Sequence, residues 1–173
     1  MRASQLIPFL ACLILAPVLA LAHDYAVGPL KIGHPWSRAT PPAAQVAGGF
    51  LTITNTGRAD DRLVAVTSAA SERVEIHQMK MDAGVMRMRQ LTEGLVVAAG
   101  KQTTLAPGSY HLMFIKPRQP FKAGEHIKAT LQFQKAGKVV VEFAVVEAGA
   151  MPKPDASKPA DAKPATHESH ADH

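Results

Sequence analysis

Four of the seven methionines, Met79, Met81, Met86 and Met88, fall within ten residues, and Met113 follows His111 by two. Methionine usually fills irregular gaps in a core. Face parity argues against that role here. In the strand-like run Tyr110 to Ile115, the bulky Tyr110, Leu112 and Phe114 occupy one face, leaving His111 and Met113 together on the other. In Arg73 to Met81, Val74 and Ile76 form the apolar face, and His77 and Met79 share the opposite one with Arg73 and Glu75. Thioether sulfur and imidazole nitrogen are good ligands for Cu(I), whereas thioethers are poor ones for hard ions or zinc. The chemistry indicated is soft-metal binding.

These residues have to be positioned by strands. Ile127, Ala129, Leu131 and Phe133 alternate with Lys128, Thr130, Gln132 and Gln134, the pattern of a strand with one buried face. The turn Lys135-Ala136-Gly137 leads into the valine-rich Lys138 to Val146, making a terminal hairpin. Further strands are expected at Tyr25 to Ile32, Phe50 to Thr54, Leu63 to Thr67, Arg73 to Met81, Val85 to Gln90, Leu95 to Ala98 and Tyr110 to Ile115. Asn55-Thr56-Gly57, Asp82-Ala83-Gly84 and Pro107-Gly108 supply turns between them. No stretch has the apolar period of a three-turn helix. The fold class expected is all-β, a Greek-key β-sandwich. A turn centred between Asp82 and Ala83 would oppose His77 to Met88 and Met79 to Met86, side chains on the same face.

The chain has 173 residues, 47% hydrophobic and 19% charged, enough for one ordinary core. Residues 1–22 read as an export signal, with Arg2 ahead of an uncharged run and Ala20 and Ala22 before the cut, so the mature chain is expected to begin at His23. Pro8 and Pro17 speak against a membrane span. The only cysteine, Cys12, lies inside the signal. A mature chain without thiols excludes disulfides, a cysteine nucleophile, an iron–sulfur cluster and a thiolate-ligated copper centre. Phe9-Leu10-Ala11 fits a lipid-attachment box poorly, which argues against cleavage at Cys12.

From Gly149 the composition turns to Pro, Ala, Lys and Asp, a segment that cannot bury a core. We therefore expect a folded domain over 23–148 and a disordered tail over 149–173. Its His167, His170 and His173, joined by Met151, offer an accessory Cu(II) site, since imidazole suits that ion. Net charge is a mild +5. Lys116, Arg118, Lys122, Lys128, Lys135 and Lys138 are scattered without interleaved aromatics, so nucleic acid is not an expected partner. His34 and His126 read as structural or surface residues. An N-terminal His23 chelating Cu(II) has no evident partner histidine. Ser109 near His111 lacks the remaining members of a hydrolytic triad.

His77, Met88, His111 and Met113, spaced by 11, 23 and 2 residues, resemble the His-Met-His-x-Met motif of the periplasmic PCu(A)C copper chaperones. The surrounding runs, residues 34–42, Gly84-Val85-Met86-Arg87-Met88-Arg89 and residues 107–113, are similar to that family as well. The resemblance extends from about Asp24 to Val146. It implies a cupredoxin-like sandwich that binds one Cu(I) through these four side chains. It also implies delivery to the dinuclear copper site of cytochrome c oxidase, alongside a thioredoxin-like copper chaperone, with the membrane met only through the acceptor. Met79 and Met86 share the expected face, as substitute ligands or as cover. A monomeric, non-enzymatic donor is the expected reading. A copper buffer for tolerance has the same ligands, and a copper oxidase would prefer more nitrogen ligands.

Overall fold

The computed structural model describes residues 25–151. Among these there are eleven strands and no helix: β1 Tyr25–Val27, β2 Leu30–Arg38, β3 Val46–Asn55, β4 Asp61–Thr67, β5 Ser71–Asp82, β6 Val85–Gln90, β7 Leu95–Val97, β8 Gln102–Leu105, β9 Tyr110–Pro117, β10 His126–Phe133 and β11 Gly137–Val146. The expected strands are present, several longer than anticipated, except that Tyr25 to Ile32 is not one strand. A turn at Gly28-Pro29, with Gly28 at a φ of 53°, breaks it into β1 and the start of β2, which pair with each other antiparallel. β8 is additional: Gln102-Thr103-Thr104-Leu105 is too short and too polar to display an alternating pattern.

β5, β9, β3, β2, β11, β10 and β4 pair in succession, and a single rung, Val66 opposite Val74, joins β4 back to β5. The sheet thereby closes around one core. Most pairings are antiparallel, but β11 runs parallel to β2 and β8 parallel to β9. At the centre Phe114 meets Phe121 and Phe143 edge-on, at ring separations of 5.5 and 5.6 Å, the geometry aromatic quadrupoles favour. β3 approaches β9 closely because position 49 is glycine. A Cβ there would stand 2.7 Å from the Phe114 ring.

Buried polar groups tie down the loops. Asn55, fully buried, donates to the carbonyls of Ala59 and Val97 and accepts from Gly57 N–H. Asp61 accepts from the backbone N–H groups of Arg62, Lys135 and Ala136. Burial alone would raise the Asp61 carboxyl, but these three bonds outweigh it and hold the group below its ordinary value.

The β5–β6 hairpin corrects one expectation. Its register opposes His77 to Gln90, Met79 to Met88 and Met81 to Met86, closing at Asp82 and Val85. The turn is thus Ala83-Gly84, one residue beyond the expected centre. Both residues have positive φ, 47° and 81°, as a tight type I′ loop demands, and glycine supplies the second position without strain. Because the shift moves each opposed pair by a whole two-residue step, the methionines stay on the His77 face. Met88 now opposes Met79 instead of His77, and Met86 opposes Met81 instead of Met79.

Candidate metal centre

β5 is flanked by β9 on one side and β6 on the other, so three strands contribute to one outward face. Ile76 and Leu112 point into the core and are buried. By alternation His77 and His111 point the other way, and the register opposes them directly. Their rings stand 5.7 Å apart, tilted by 37°. Both histidines are nevertheless only 8% exposed.

Each imidazole has one nitrogen tied up. His77 Nε2 lies 2.8 Å from a carboxylate oxygen of Glu75. Since the carboxylate only accepts, Nε2 of the neutral ring carries the proton and Nδ1 keeps its lone pair. That Nδ1 is buried and has no hydrogen-bond partner, a costly state for a polar atom. His111 Nδ1 donates to the Ser109 carbonyl at 3.1 Å, which leaves its Nε2 lone pair available. Metal-binding histidines are typically oriented in this way, the second nitrogen bonded to a carboxylate or a backbone carbonyl. Glu75 is itself fixed by Arg73, whose Nε donates to its other oxygen at 2.8 Å. The hydrogen bond from His77, then that from Arg73, holds the Glu75 carboxyl below the ordinary glutamate range.

Thioethers surround this pair along the same face. Met113 follows His111 by two residues on β9, opposite Glu75, and is half-buried. Met79 follows His77 on β5 and is half-buried. Met88 opposes Met79 from β6 and is exposed. It is the diagonal neighbour of His77, a relation that long side chains bridge. Met86 lies one step further out, opposite Met81. Among the described residues no three His, Cys, Asp or Glu side chains are grouped to hold a metal. A site built here has to use the methionines, which restricts it to soft ions.

Sequence reasoning did not assign roles to Glu75 and the Ser109 carbonyl. The alternation of β5 signals the first, since it puts Glu75 on the face of His77 two residues away. The second is a backbone atom and leaves no signal in residue type. His34 and His126 are exposed and lie on other strands. Met151 is exposed at the end of the described residues; His23, His167, His170, His173 and the residues of the expected signal lie outside them.

The family model for LpqE-like lipoproteins matches residues 30–145. The chain belongs to that family, which is the PCu(A)C family. In solved PCu(A)C structures, the copper-bound PCuAC domain from PmoF2 is 30% identical, with a TM-score of 0.64 over 73% of this chain and 99% of that one. The apo PCuAC domain from PmoF1 is 29% identical, with a TM-score of 0.63 over 73% of this chain and all of the other. A protein of Leifsonia xyli subsp. xyli named as a lipoprotein, Lxx21020, is 27% identical over 131 residues, which cover 76% of this chain and 78% of its own. The fold is accordingly the cupredoxin-like Greek-key β-sandwich of PCu(A)C domains.

Proposed function

We propose that this protein is an exported, periplasmic Cu(I) metallochaperone. In this reading His77, Met88, His111 and Met113 hold the ion, which is cargo rather than a resident cofactor. The observation that carries it is the opposed pair of buried histidines, each with one nitrogen hydrogen-bonded and the other's lone pair left over, beside neutral thioethers. Neutral ligands leave the monovalent ion with its single charge and form no thiolate bond, which suits release as much as capture. Copper in a homologous PCuAC domain supports the cargo, and relatives named as lipoproteins support export.

The acceptor in this reading is the dinuclear copper site of cytochrome c oxidase, with a thioredoxin-like chaperone as co-worker. Mixing the Cu(I)-loaded protein with a soluble fragment of the oxidase copper subunit tests delivery directly. The expected result is two copper equivalents recovered on the re-isolated fragment, with matching loss from the donor. The dinuclear centre's absorption should follow once an added one-electron oxidant has taken the Cu(I)/Cu(I) site to its mixed-valence state. Retention of the copper would instead mark a buffer. His167, His170 and His173, with Met151, form the accessory Cu(II) site of this reading. Replacing the three histidines by alanine in the full chain should abolish a Cu(II) equivalent and leave Cu(I) binding intact. The intact mass of the exported protein checks cleavage after Ala22; a lipidated Cys12 would contradict it.

A further inference from the structure

Four methionines line one face of the β5–β6 hairpin, and the four-ligand reading uses only Met88. The register orders them as rungs: His77 opposite Gln90, then Met79 opposite Met88, then Met81 opposite Met86 next to the turn. Successive rungs on one face are about 7 Å apart. Met79 N–H donates to the Ser109 carbonyl just ahead of β9, so the odd-numbered residues of β5 direct their backbone groups away from β6. Both methionine rungs are therefore of the non-hydrogen-bonded kind, in which opposed side chains lie closest.

Packing does not explain the outer rung. Met81 is 57% and Met86 44% exposed, which is not the condition of methionines filling a core. The charged residues of the hairpin belong to the other face: Lys80 opposes Arg87, Asp82 is ion-paired with Arg87 at 3.0 Å, and Arg89 donates to Gln78. From the turn inward to His77, a cation moving along this face thus passes two rungs of thioethers and meets no charged side chain. The two-residue turn next to the outer rung keeps Met81 and Met86 paired.

Resting on the proposed function, we propose that Met81 and Met86 form a second, weaker Cu(I) site at the hairpin tip, where copper is exchanged with a partner that offers thiolate or thioether sulfur. Copper stays Cu(I) throughout. At each step a bond to an incoming sulfur forms before one to an outgoing ligand breaks, so no oxidant or reductant is consumed. The inner site supplies affinity, and the exposed pair supplies access that the buried histidines lack.

The test is an anaerobic Cu(I) titration of the full mature chain carrying methyl-13C methionine, followed by NMR, with Met81→Leu/Met86→Leu as the variant. Leucine keeps the apolar bulk and removes the sulfur. In the wild type the first equivalent should shift the Met88 and Met113 methyls, and the second those of Met81 and Met86. The variant should bind the first equivalent unchanged, lose the second, and pass Cu(I) to a reduced dithiol peptide several-fold more slowly. A tight first equivalent followed by no shift at Met81 and Met86, or transfer from the variant at the wild-type rate, would overturn the tip site alone. Absence of any tight first equivalent in the wild type would overturn the four-ligand reading and this inference with it.

Discussion

β5 spends its two halves in different surroundings. From Ser71 to Ile76 it lies against β4 and β9, with Ile76 buried over the core. From Lys80 to Asp82 it is paired with β6 and exposed, as is every residue of β6. His77 stands at the junction. The difference separates two roles: packing in the sandwich fixes where the two imidazoles sit, while the hairpin leaves thioethers exposed to solvent. In the proposed function, affinity draws on the first and transfer on the second.

Substitutions should separate the halves. The largest stability effect is expected at the aromatic centre, where Phe114→Ala costs about 3–5 kcal/mol, read as a lower urea midpoint. Met86→Ala, an equally drastic truncation at the exposed rung, should stay within about 0.5 kcal/mol.

Asp61→Asn sharpens the comparison, because Asp61 is polar but belongs to the core side. It keeps the shape but turns one carboxylate oxygen into an NH2 group that cannot accept. At least one of the three backbone hydrogen bonds is then lost and the others lose their charge assistance, so a loss of about 1–3 kcal/mol is expected. The folded carboxyl lies below its ordinary value of 3.8. Its contribution is therefore complete above that value and is lost as pH falls through the lower folded value. Wild type and Asp61→Asn should differ most near neutral pH and converge in acid, as urea midpoints across pH will register.

A smaller and more local effect is expected from Gly84→Ala. An alanine forced into the left-handed region costs about 1–2 kcal/mol, and nothing crowds the added methyl. Amide exchange in β6 should quicken while the core amides and the urea midpoint barely move. Global loosening would show that the hairpin is coupled to the core more tightly than its exposure implies.

The architecture was readable in the chain wherever one face of a strand is buried. Leu131 and Phe133 alternating with Gln132 and Gln134, and Leu112 and Phe114 with His111 and Met113, announce both a strand and its faces. Parity alone placed the candidate ligands on the face away from the core. The hairpin register was not readable from parity, because a two-residue slip preserves it. Only turn chemistry distinguishes the registers, and the need for positive φ at both loop positions chose Ala83-Gly84. Burial of His77 and His111 was also hidden. Alternation assigns them to the outer face, yet neighbouring strands and side chains cover them there, a tertiary effect with no local pattern. Gln102 to Leu105 escaped for the opposite reason: this strand is held by β3 and β9 rather than by any preference of its own.

The most direct test of the central claim is anaerobic Cu(I) competition titration of the full mature chain against His111→Ala/Met113→Ala, with circular dichroism verifying that both retain the sheet. The account expects one tight equivalent in the wild type, lost in the double variant while the spectrum is unchanged. Equal tight binding by the two folded proteins would contradict a site built on the outer face of β5 and β9.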